Sequence, residues 1–389
     1  MISIRHGLCG PGAQGHATAP LAWTLVAPKE SIPLSSLFSP FTLRGTTFKN
    51  RAWVSPMCQY SAKDGVVGQW HLVHLGSFAT GGAGLVFAEA SAVTPEGRIS
   101  IHCPGLWNDE QTVAWKTVTD FVHTQGTKIG IQLAHAGRKA STMTPWDDHL
   151  VASVEEGGWT AVAPSPLAFE GYPVPHELST NEIVELISAF AHAARRAVEA
   201  GFDVVELHAA HGYLLHEFLS PLSNQRTDEF GGPFENRIRL LMLVAASVRN
   251  AIPSTSPLFV RISATDYVEG GWDIDQSIEL SLRLKSQGVD LIDVSSGGNV
   301  HGVKIPLVPG YQVDFARKIR SGGQIPTSAV GLITEPEQAE EILASGQADA
   351  TMLARAMLRN PRWALNAAES LGEIIAWPPQ LERARTLRP

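Results

Sequence analysis

The sequence has few cysteines, and none of them is closely spaced with another. Cys9, Cys58 and Cys103 are the only three in 389 residues, and no CxxC pair occurs. Disulfide frameworks and cysteine-held clusters depend on such pairs. The sequence therefore predicts neither a disulfide framework nor a bound metal, and a reducing compartment, the cytoplasm, is the simplest expectation.

Long apolar runs and an excess of positive charge are also missing. No run approaches the roughly 20 apolar residues that span a bilayer, so no membrane association is expected. The 30 basic residues are outnumbered by 38 acidic ones, which leaves a formal net charge of -8. Nucleic-acid-binding surfaces are basic, so no nucleic-acid partner is predicted. The expected partner is a small molecule.

The first 33 residues differ in composition from the rest of the chain. They are rich in Gly, Ala and Pro and contain no acidic residue before Glu30. Arg5 and Lys29 are their only basic residues, so an arginine-rich transit helix is not visible. Residues 1–33 are predicted to form a flexible N-terminal extension, and residues 34–389 a single domain.

Eight short apolar runs alternate with longer segments after residue 51. The runs are AWVSPM at 52–57, GLVFAEA at 84–90, KIGIQLA at 128–134, FDVVELH at 202–208, PLFVRIS at 257–263, DLIDVSS at 290–296, IPTSAVG at 325–331 and ADATMLA at 348–354. A segment between them, 180–200, has apolar residues at helical spacing. Eight strand–helix units predict an α/β fold, the (β/α)8 TIM barrel. Residues 135–179 would form an extended loop after strand 3, and residues 377–389 an extra C-terminal tail.

Functional residues of such a barrel are expected at the carboxyl ends of its strands. His208, His211 and Tyr213 follow strand 4, where imidazole and phenol groups suit carbonyl binding and proton donation. A single histidine here could equally be a hydrogen-bonded core residue. The pair could also bind a metal in a barrel hydrolase, although no third ligand is evident and Glu206 is expected to point to the opposite face of its strand.

Strands 7 and 8 end in small residues and an arginine, a pattern typical of phosphate binding in barrels. Gly331 and Arg355 are the residues concerned. The simplest interpretation of Cys58, which follows strand 1, is a small buried hydrophobic residue. For Gln132 it is a hydrogen bond at a strand end.

Five separate stretches, taken in order, resemble the Old Yellow Enzyme family of flavin-dependent ene-reductases, and specifically its thermophilic-like branch. The stretches are SPMCQYSAKDG at 55–65, FAEASAVTPEGRIS at 87–100, KIGIQLAHAGRK at 128–139, FDVVELHAAHGYLLHEFLSPLSNQRTDEFGG at 202–232 and LFVRISATDY at 258–267. The resemblance covers roughly residues 37–383. It implies noncovalently bound FMN, with NADPH or NADH as the electron donor.

The resemblance also implies which residues contact the cofactor. The expected FMN-binding residues are Pro56, Met57, Cys58, Ala90, Gln132, Arg261, Ser296, Gly297, Gly331, Ala354 and Arg355. Arg261 would lie at the pyrimidine edge of the flavin, and Arg355 with the Gly331 region would bind the phosphate. Ala354 and Ser328 stand where the family often has glycine, so the phosphate pocket is expected to differ slightly.

The substrate implied by the resemblance is an activated alkene, an α,β-unsaturated carbonyl compound whose C=C bond is reduced. His208 and His211 would donate hydrogen bonds to the carbonyl oxygen, and Tyr213 would protonate the α carbon. Cys58 and Tyr60 would contact the substrate or tune the flavin. Arg383 would reach the active site of a neighbouring subunit in a homodimer or higher oligomer, although Leu381 replaces a tyrosine that is usual in this tail.

Three alternatives remain at this point. Within the family, the protein could be a flavin-dependent isomerase or oxidase of a biosynthetic pathway. From other classes, it could be a metal-dependent barrel hydrolase that uses His208 and His211, or a barrel that binds a ligand without catalysis.

Overall fold

The computed structural model of the protein describes residues 35–386, and within them eight parallel strands close into one barrel. In chain order the strands are β1 Ala52–Val54, β2 Leu85–Ala92, β3 Lys128–Ala134, β4 Val204–Ala209, β5 Leu258–Ser263, β6 Leu291–Ser295, β7 Thr327–Ala329 and β8 Ala350–Leu353. Each strand pairs with the next, and β8 pairs with β1. The predicted (β/α)8 barrel is confirmed.

Helices follow the strands and surround the barrel. The longer ones are Gln69–Thr80, Asp109–Thr124, Thr180–Glu199, Arg239–Ala251, Ile274–Ser286, Val313–Gly322, Pro336–Ala344 and Trp363–Ser370, and shorter ones are Leu214–Leu219, Phe234–Arg237 and Arg355–Arg359. The helix predicted at 180–200 begins with a capping box between Ser179 and Glu182. Such reciprocal bonds satisfy free N–H groups of the first turn and fix where the helix begins.

The strand boundaries match the predictions unevenly. The third run is a strand over its full predicted length, Lys128–Ala134. The first run, predicted at 52–57, ends as a strand at Val54. Pro56 lies just beyond and lacks the N–H that a ladder needs, so the chain leaves the barrel wall there. The segment that follows is free to form the rim of the barrel mouth.

Aromatic side chains fill the amino-terminal end of the barrel. A hairpin of Phe41–Leu43 and Thr46–Phe48 lies beneath it. The ring of Phe48 lies 4.8 Å from that of Trp53, and Trp53 stacks on Phe259 at 5.9 Å. Burying rings of this size is among the largest apolar contributions available to a fold. This end of the barrel is a packed core.

The extended loop at residues 135–179 contributes to the opposite, carboxyl end. It contains a 3-10 helix at Gly137–Lys139 and a short pair of strands, Val162–Ala163 with His176–Glu177. Trp146 of this loop packs edge-on against Tyr60 at 5.7 Å. The predicted extended loop therefore contacts residues of the barrel mouth.

The structure describes part of the C-terminal tail and none of the N-terminal extension. The described part of the tail contains a 3-10 helix at Glu382–Ala384. The predicted extension at 1–33 lies outside the described residues. In the described part of the chain, no helix combines the length and apolarity needed to cross a membrane.

Candidate active site

Halfway up the barrel, the inward-facing side chains change from apolar to polar. Gln132 donates from Nε2 to Oε1 of Glu206 at 2.8 Å. Arg261 Nε lies 3.0 Å from Oδ2 of Asp293, close enough for an ion pair but not aligned for a hydrogen bond. Ser328 donates to Oδ1 of Asp293 at 2.8 Å. These five buried residues, one on each strand from β3 to β7, are called the polar layer below.

Glu206 corrects one expectation from the sequence. Its side chain does not point away from His208, since it bonds to Gln132 inside the barrel. Residues two apart on a strand share a face, so the alternation itself places Glu206 beneath His208. Glu206 and Asp293 were not among the predicted site residues. The signal that identifies them is a carboxyl group at an inward position of an otherwise apolar strand.

The polar layer holds two carboxyl groups around one guanidinium. Burial raises the pKa of Glu206 to about 8, the charge of Asp293 adds to the rise, and Arg261 opposes it. Burial likewise raises the pKa of Asp293. A buried carboxylate without a cation of its own is costly. The layer therefore retains a proton on one carboxyl group near neutral pH.

His208, His211 and Tyr213 meet directly above the polar layer. The ring of His208 lies 5.1 Å from that of His211 and 5.1 Å from that of Tyr213. His211 Nε2 is 2.7 Å from the hydroxyl of Ser295. Within the described residues, the buried Nδ1 of His208 has no hydrogen-bond partner. The structure therefore brings the three predicted residues together around a free ring nitrogen.

The protonation states of this trio follow from burial. Burial lowers the pKa of both histidines well below the usual value, and the positive charge of Arg261 lowers it further. Burial also raises the pKa of Tyr213 well above the usual value for a phenol. At neutral pH the imidazoles are uncharged hydrogen-bond donors, and Tyr213 keeps its proton.

The turn that carries these side chains has an unusual backbone. His211 has a φ of 60°, and Gly212 has a φ of 70°. A Cβ at Gly212 would come within 2.3 Å of the carbonyl oxygen of Gly298, so only glycine fits there. Lys139 Nζ donates to the carbonyls of His211 at 2.7 Å and Gly298 at 2.9 Å. Lys139 thus ties the extended loop to the turn, a role that the sequence did not reveal.

A cavity of about 270 Å³ lies beside the ends of β7 and β8. Arg261, Arg355 and Arg359 line it together with Gly331 and Ala354, and its lining contains no carboxylate. Within the described residues, the side chains of Arg355 and Arg359 make no hydrogen bond or ion pair. Backbone N–H groups and guanidinium groups are the usual partners of a phosphate. The cavity suits an anionic ligand.

These residues fit FMN. The arginine-lined cavity would hold its phosphate, and Arg261, which also donates to Ser55 Oγ at 3.1 Å, would contact its ring. Two further residues were predicted to contact FMN after β6. Ser295 lines this cavity but Ser296 and Gly297 do not, so the FMN contacts of these two residues stay predictions. The hydroxyl of Ser296 donates to Oε1 of Gln312 at 2.5 Å.

Pro56, Met57, Cys58 and Tyr60 form one side of the mouth. Cys58 and Tyr60 pack with Ala90, and Tyr213 joins the same cluster. A hydrogen bond with Cys103, together with burial, raises the pKa of the Cys58 thiol. Burial raises the pKa of Tyr60 as well. Both groups are therefore neutral near neutral pH, which gives Cys58 no nucleophilic character.

Two further predictions concern residues that the structure does not bring into this group. Arg383 is exposed in the C-terminal 3-10 helix, and its side chain makes no hydrogen bond or ion pair within residues 35–386. Neither His208 nor His211 belongs to a trio of metal-ligand atoms among the same residues. The hydrolase alternative therefore lacks a third ligand.

Barrels of this type carry their active sites at the carboxyl ends of their strands. Neutral donors lie at that end next to a cavity whose lining includes the unpaired side chains of Arg355 and Arg359. This arrangement defines a TIM-barrel enzyme that takes a phosphorylated cofactor. Comparison with known proteins narrows this class. A model described as the NADH:flavin oxidoreductase / NADH oxidase family matches residues 36–373.

Individual relatives agree with the family model. NADPH dehydrogenase of Listeria innocua is 49% identical over 354 residues, which are 90% of this chain and 99% of that protein. Morphinone reductase in complex with tetrahydroNAD has a TM-score of 0.72 at 28% identity, covering 88% of this chain and 93% of that one. A 2-naphthoyl-CoA reductase complex has a TM-score of 0.79 at 25% identity over 87% of this chain, which spans 52% of that longer protein.

The chain therefore belongs to the NADH:flavin oxidoreductase / NADH oxidase family, and the resemblance to Old Yellow Enzyme is confirmed. It is an NAD(P)H-dependent flavin oxidoreductase with FMN as its cofactor. The assignment to the thermophilic-like branch stays a prediction.

Proposed function

We propose that the protein is an ene-reductase, which reduces the C=C bond of α,β-unsaturated carbonyl compounds with electrons from NADPH or NADH. The observation that carries this proposal is the free, buried Nδ1 of His208, which lies beside His211 and Tyr213. A neutral imidazole with an unpartnered nitrogen is suited to bind a carbonyl oxygen. A neutral phenol at the same place is suited to give a proton.

Each residue then has a separate task. His208 and His211 donate hydrogen bonds to the carbonyl oxygen and stabilise the negative charge that develops on it. Tyr213 gives its phenolic proton to the α carbon. FMN bound here and reduced by the nicotinamide would supply the hydride chemistry needed at the β carbon. Cys58 and Tyr60 border the space in which the alkene lies.

The rise in the pKa of Tyr213 supports its role as an acid, because a phenol that ionised near neutral pH would have no proton to give. Lys139, in the loop after β3, lies next to Tyr213. Its ammonium group lies 5.1 Å from the centre of the Tyr213 ring, and burial lowers its pKa to about 8. A positive charge on Lys139 stabilises the phenolate that remains after proton transfer, because an opposite charge nearby favours the ionised form.

The proposal is tested by visible spectra of the purified protein under anaerobic conditions. The flavin band is expected to bleach with NADPH and to return when cyclohexenone is added. Methyl crotonate and a saturated ketone serve as weaker-acceptor and non-acceptor controls. A band that bleaches but does not return with any activated alkene would reject the ene-reductase, while leaving the flavin oxidoreductase intact.

The oligomer and compartment are part of the same proposal. Arg383 is exposed and without a partner within the described residues, as a side chain that enters a neighbouring subunit would be in one isolated chain. A homodimer in the cytoplasm is expected. Light scattering on wild-type protein and on Arg383→Ala, combined with KM for cyclohexenone, would test it, and an unchanged KM would remove Arg383 from the active site.

A further inference from the structure

Two thiols and a carboxylate converge at the side of the active site that Cys58 borders. Cys58 follows β1, Glu89 lies on β2, and Cys103 lies in the loop after β2. The ligand atoms of all three residues lie within 4.8 Å of one another. The catalytic roles proposed above for the histidines and Tyr213 make no use of Cys103 or Glu89.

Local structure holds each of the three groups in place. The register of β2 against β3 shifts between Ala88 and Ala90, and such a bulge re-aims the extra residue, Glu89. Its Oε2 accepts from the backbone N–H of Gln59 at 2.8 Å. The sulfur of Cys103 accepts from the backbone N–H of Ser100 at 3.4 Å. The other carboxylate oxygen of Glu89, Oε1, lies 3.3 Å from Nε2 of the buried His71. Among the described residues, the buried carboxylate therefore lies between one histidine and the two sulfur atoms, with no lysine or arginine in an ion pair with it.

The donor set selects one class of ion. Thiolates favour soft or borderline cations such as Zn²⁺ and Cd²⁺ over Mg²⁺ and Ca²⁺. With Zn–S bonds of about 2.3 Å, two sulfurs on a tetrahedral ion are about 3.8 Å apart. That separation lies within the observed spacing of the group. Three protein ligands also leave a fourth position, which is typical of sites that remain open to water.

We propose that Cys58, Glu89 and Cys103 form a binding site for a thiophilic divalent cation of the zinc and cadmium class, and that the bound ion blocks the mouth of the active site. Cys58 and Cys103 release their two thiol protons to solvent when the ion binds, and no electron is transferred. Cys103, Tyr60 and Tyr213 belong to one packed cluster. An ion here would therefore occupy space next to the proposed proton donor.

The site departs from the sequence prediction that no metal is bound. It does not depend on the ene-reductase proposal, because its readout is the oxidation of NADPH, which belongs to the family activity. A cation that binds here is expected to inhibit NADPH oxidation with any electron acceptor, oxygen included.

The test uses the FMN-loaded enzyme and Cd²⁺ in a buffer free of thiols and chelators. One Cd²⁺ per chain is expected by equilibrium dialysis, with the ultraviolet sulfur-to-cadmium absorption band and two protons released. Inhibition of NADPH oxidation should follow the same titration curve as the absorption band. Binding without inhibition would overturn the claim that the ion blocks the mouth, and no band would overturn the site.

Cys103→Ala is the decisive variant, since Cys103 lies outside the proposed catalytic residues. It is expected to keep NADPH oxidation and to lose the absorption band. Loss of an outer partner of a metal ligand already costs about 10–100-fold in affinity, so loss of a ligand should cost at least about 100-fold. Cys9→Ala, which removes the other cysteine of the chain, is the matched control and should bind Cd²⁺ as the wild type does.

A measurement on the wild-type protein tests the site even if a variant fails to fold. X-ray absorption at the cadmium or zinc edge of the loaded wild-type enzyme should give two sulfur ligands and at least one oxygen ligand. A shell of oxygen and nitrogen alone, or Cd²⁺ binding that Cys9→Ala abolishes, would overturn the proposal.

Discussion

The two ends of the barrel interior are made from the same strands, but one is apolar and the other is polar. At the amino-terminal end, Phe259 stacks on Trp53 and tilts against Phe87 at 6.0 Å. Two residues further along β5, the inward side chain is Arg261, which faces Asp293. Two residues, one repeat of the β-strand, therefore separate the aromatic core from a buried ionic group.

The difference shows where the fold is stabilised and where it is not. Buried rings contribute apolar area and close packing. Buried charges lose hydration, and replacing them by apolar residues of similar size is often neutral or stabilising. The polar layer is therefore explained by what it does for the groups above it. It supplies a fixed positive charge and a hydrogen-bonded platform beneath His208.

The largest expected effect is a loss of reaction rate on substitution at the carboxyl end of the barrel. Tyr213→Phe removes the proposed proton donor, and a positioned acid contributes about 10²–10⁴-fold to a rate. Reoxidation of the flavin by cyclohexenone should slow by that factor, while its reduction by NADPH stays close to the wild-type rate. Anaerobic stopped-flow measurement of the two half-reactions separates them. Equal losses in both would remove Tyr213 as the acid.

A substitution at the amino-terminal end of the barrel should lower the stability of the fold rather than the reaction rate. Phe259→Ala leaves a cavity in the aromatic core and is expected to cost about 3–5 kcal/mol of unfolding free energy. Urea denaturation of the FMN-loaded enzyme measures it, with Phe259→Leu as the control that loses less volume. If Phe259→Ala keeps the stability of the wild type but loses turnover, the amino-terminal end does not serve mainly to stabilise the fold.

A smaller effect is expected from the two histidines. Phenols are ligands of the carbonyl-oxygen position, and each lost hydrogen bond costs about 1–3 kcal/mol. The double variant His208→Ala with His211→Ala should therefore bind a phenol at least about tenfold more weakly, measured by its charge-transfer band with the flavin. His192→Ala, on the exposed face of the helix at Thr180–Glu199, is the control. Unchanged phenol titrations would mean that the pair does not bind the oxygen.

The smallest effect is a pH dependence of stability from the polar layer. The pKa of Glu206 is raised to about 8 in the folded protein, whereas an unfolded glutamate ionises near its usual value of 4.5. Between these values the folded state binds more protons than the unfolded state, so this group reduces stability as pH rises through that window. Glu206→Gln keeps an acceptor for Gln132 and removes the titration.

The advantage of Glu206→Gln over wild type should therefore grow from acid to mildly alkaline pH. Urea midpoints at several pH values across the window provide the measurement. Asp293→Asn should change stability in the same direction, because burial also raises the pKa of Asp293. Parallel curves for wild type and both variants would contradict a shared proton in the layer.

Much of the architecture was predictable because strand and helix periodicities are local properties of a sequence. All eight predicted runs contain a barrel strand, and the strand-4 residues His208, His211 and Tyr213 meet as expected. Gly331, Ala354 and Arg355 also share one cavity with Arg261. The FMN contacts of Ser296 and Gly297 stay predictions, since a one-residue difference at a strand end moves a side chain to another face.

The sequence by itself determined the barrel, the order of its strands and the chemistry at each strand end, because alternating apolar runs leave few ways to bury a parallel sheet. Only the tertiary structure decided which side chains meet. Closing the barrel set Arg261 beside Asp293, and Glu206 beneath His208. The loop after β2 brought Cys103 to Cys58 across 45 residues of chain. Such contacts depend on closure and loop packing, which no local spacing encodes.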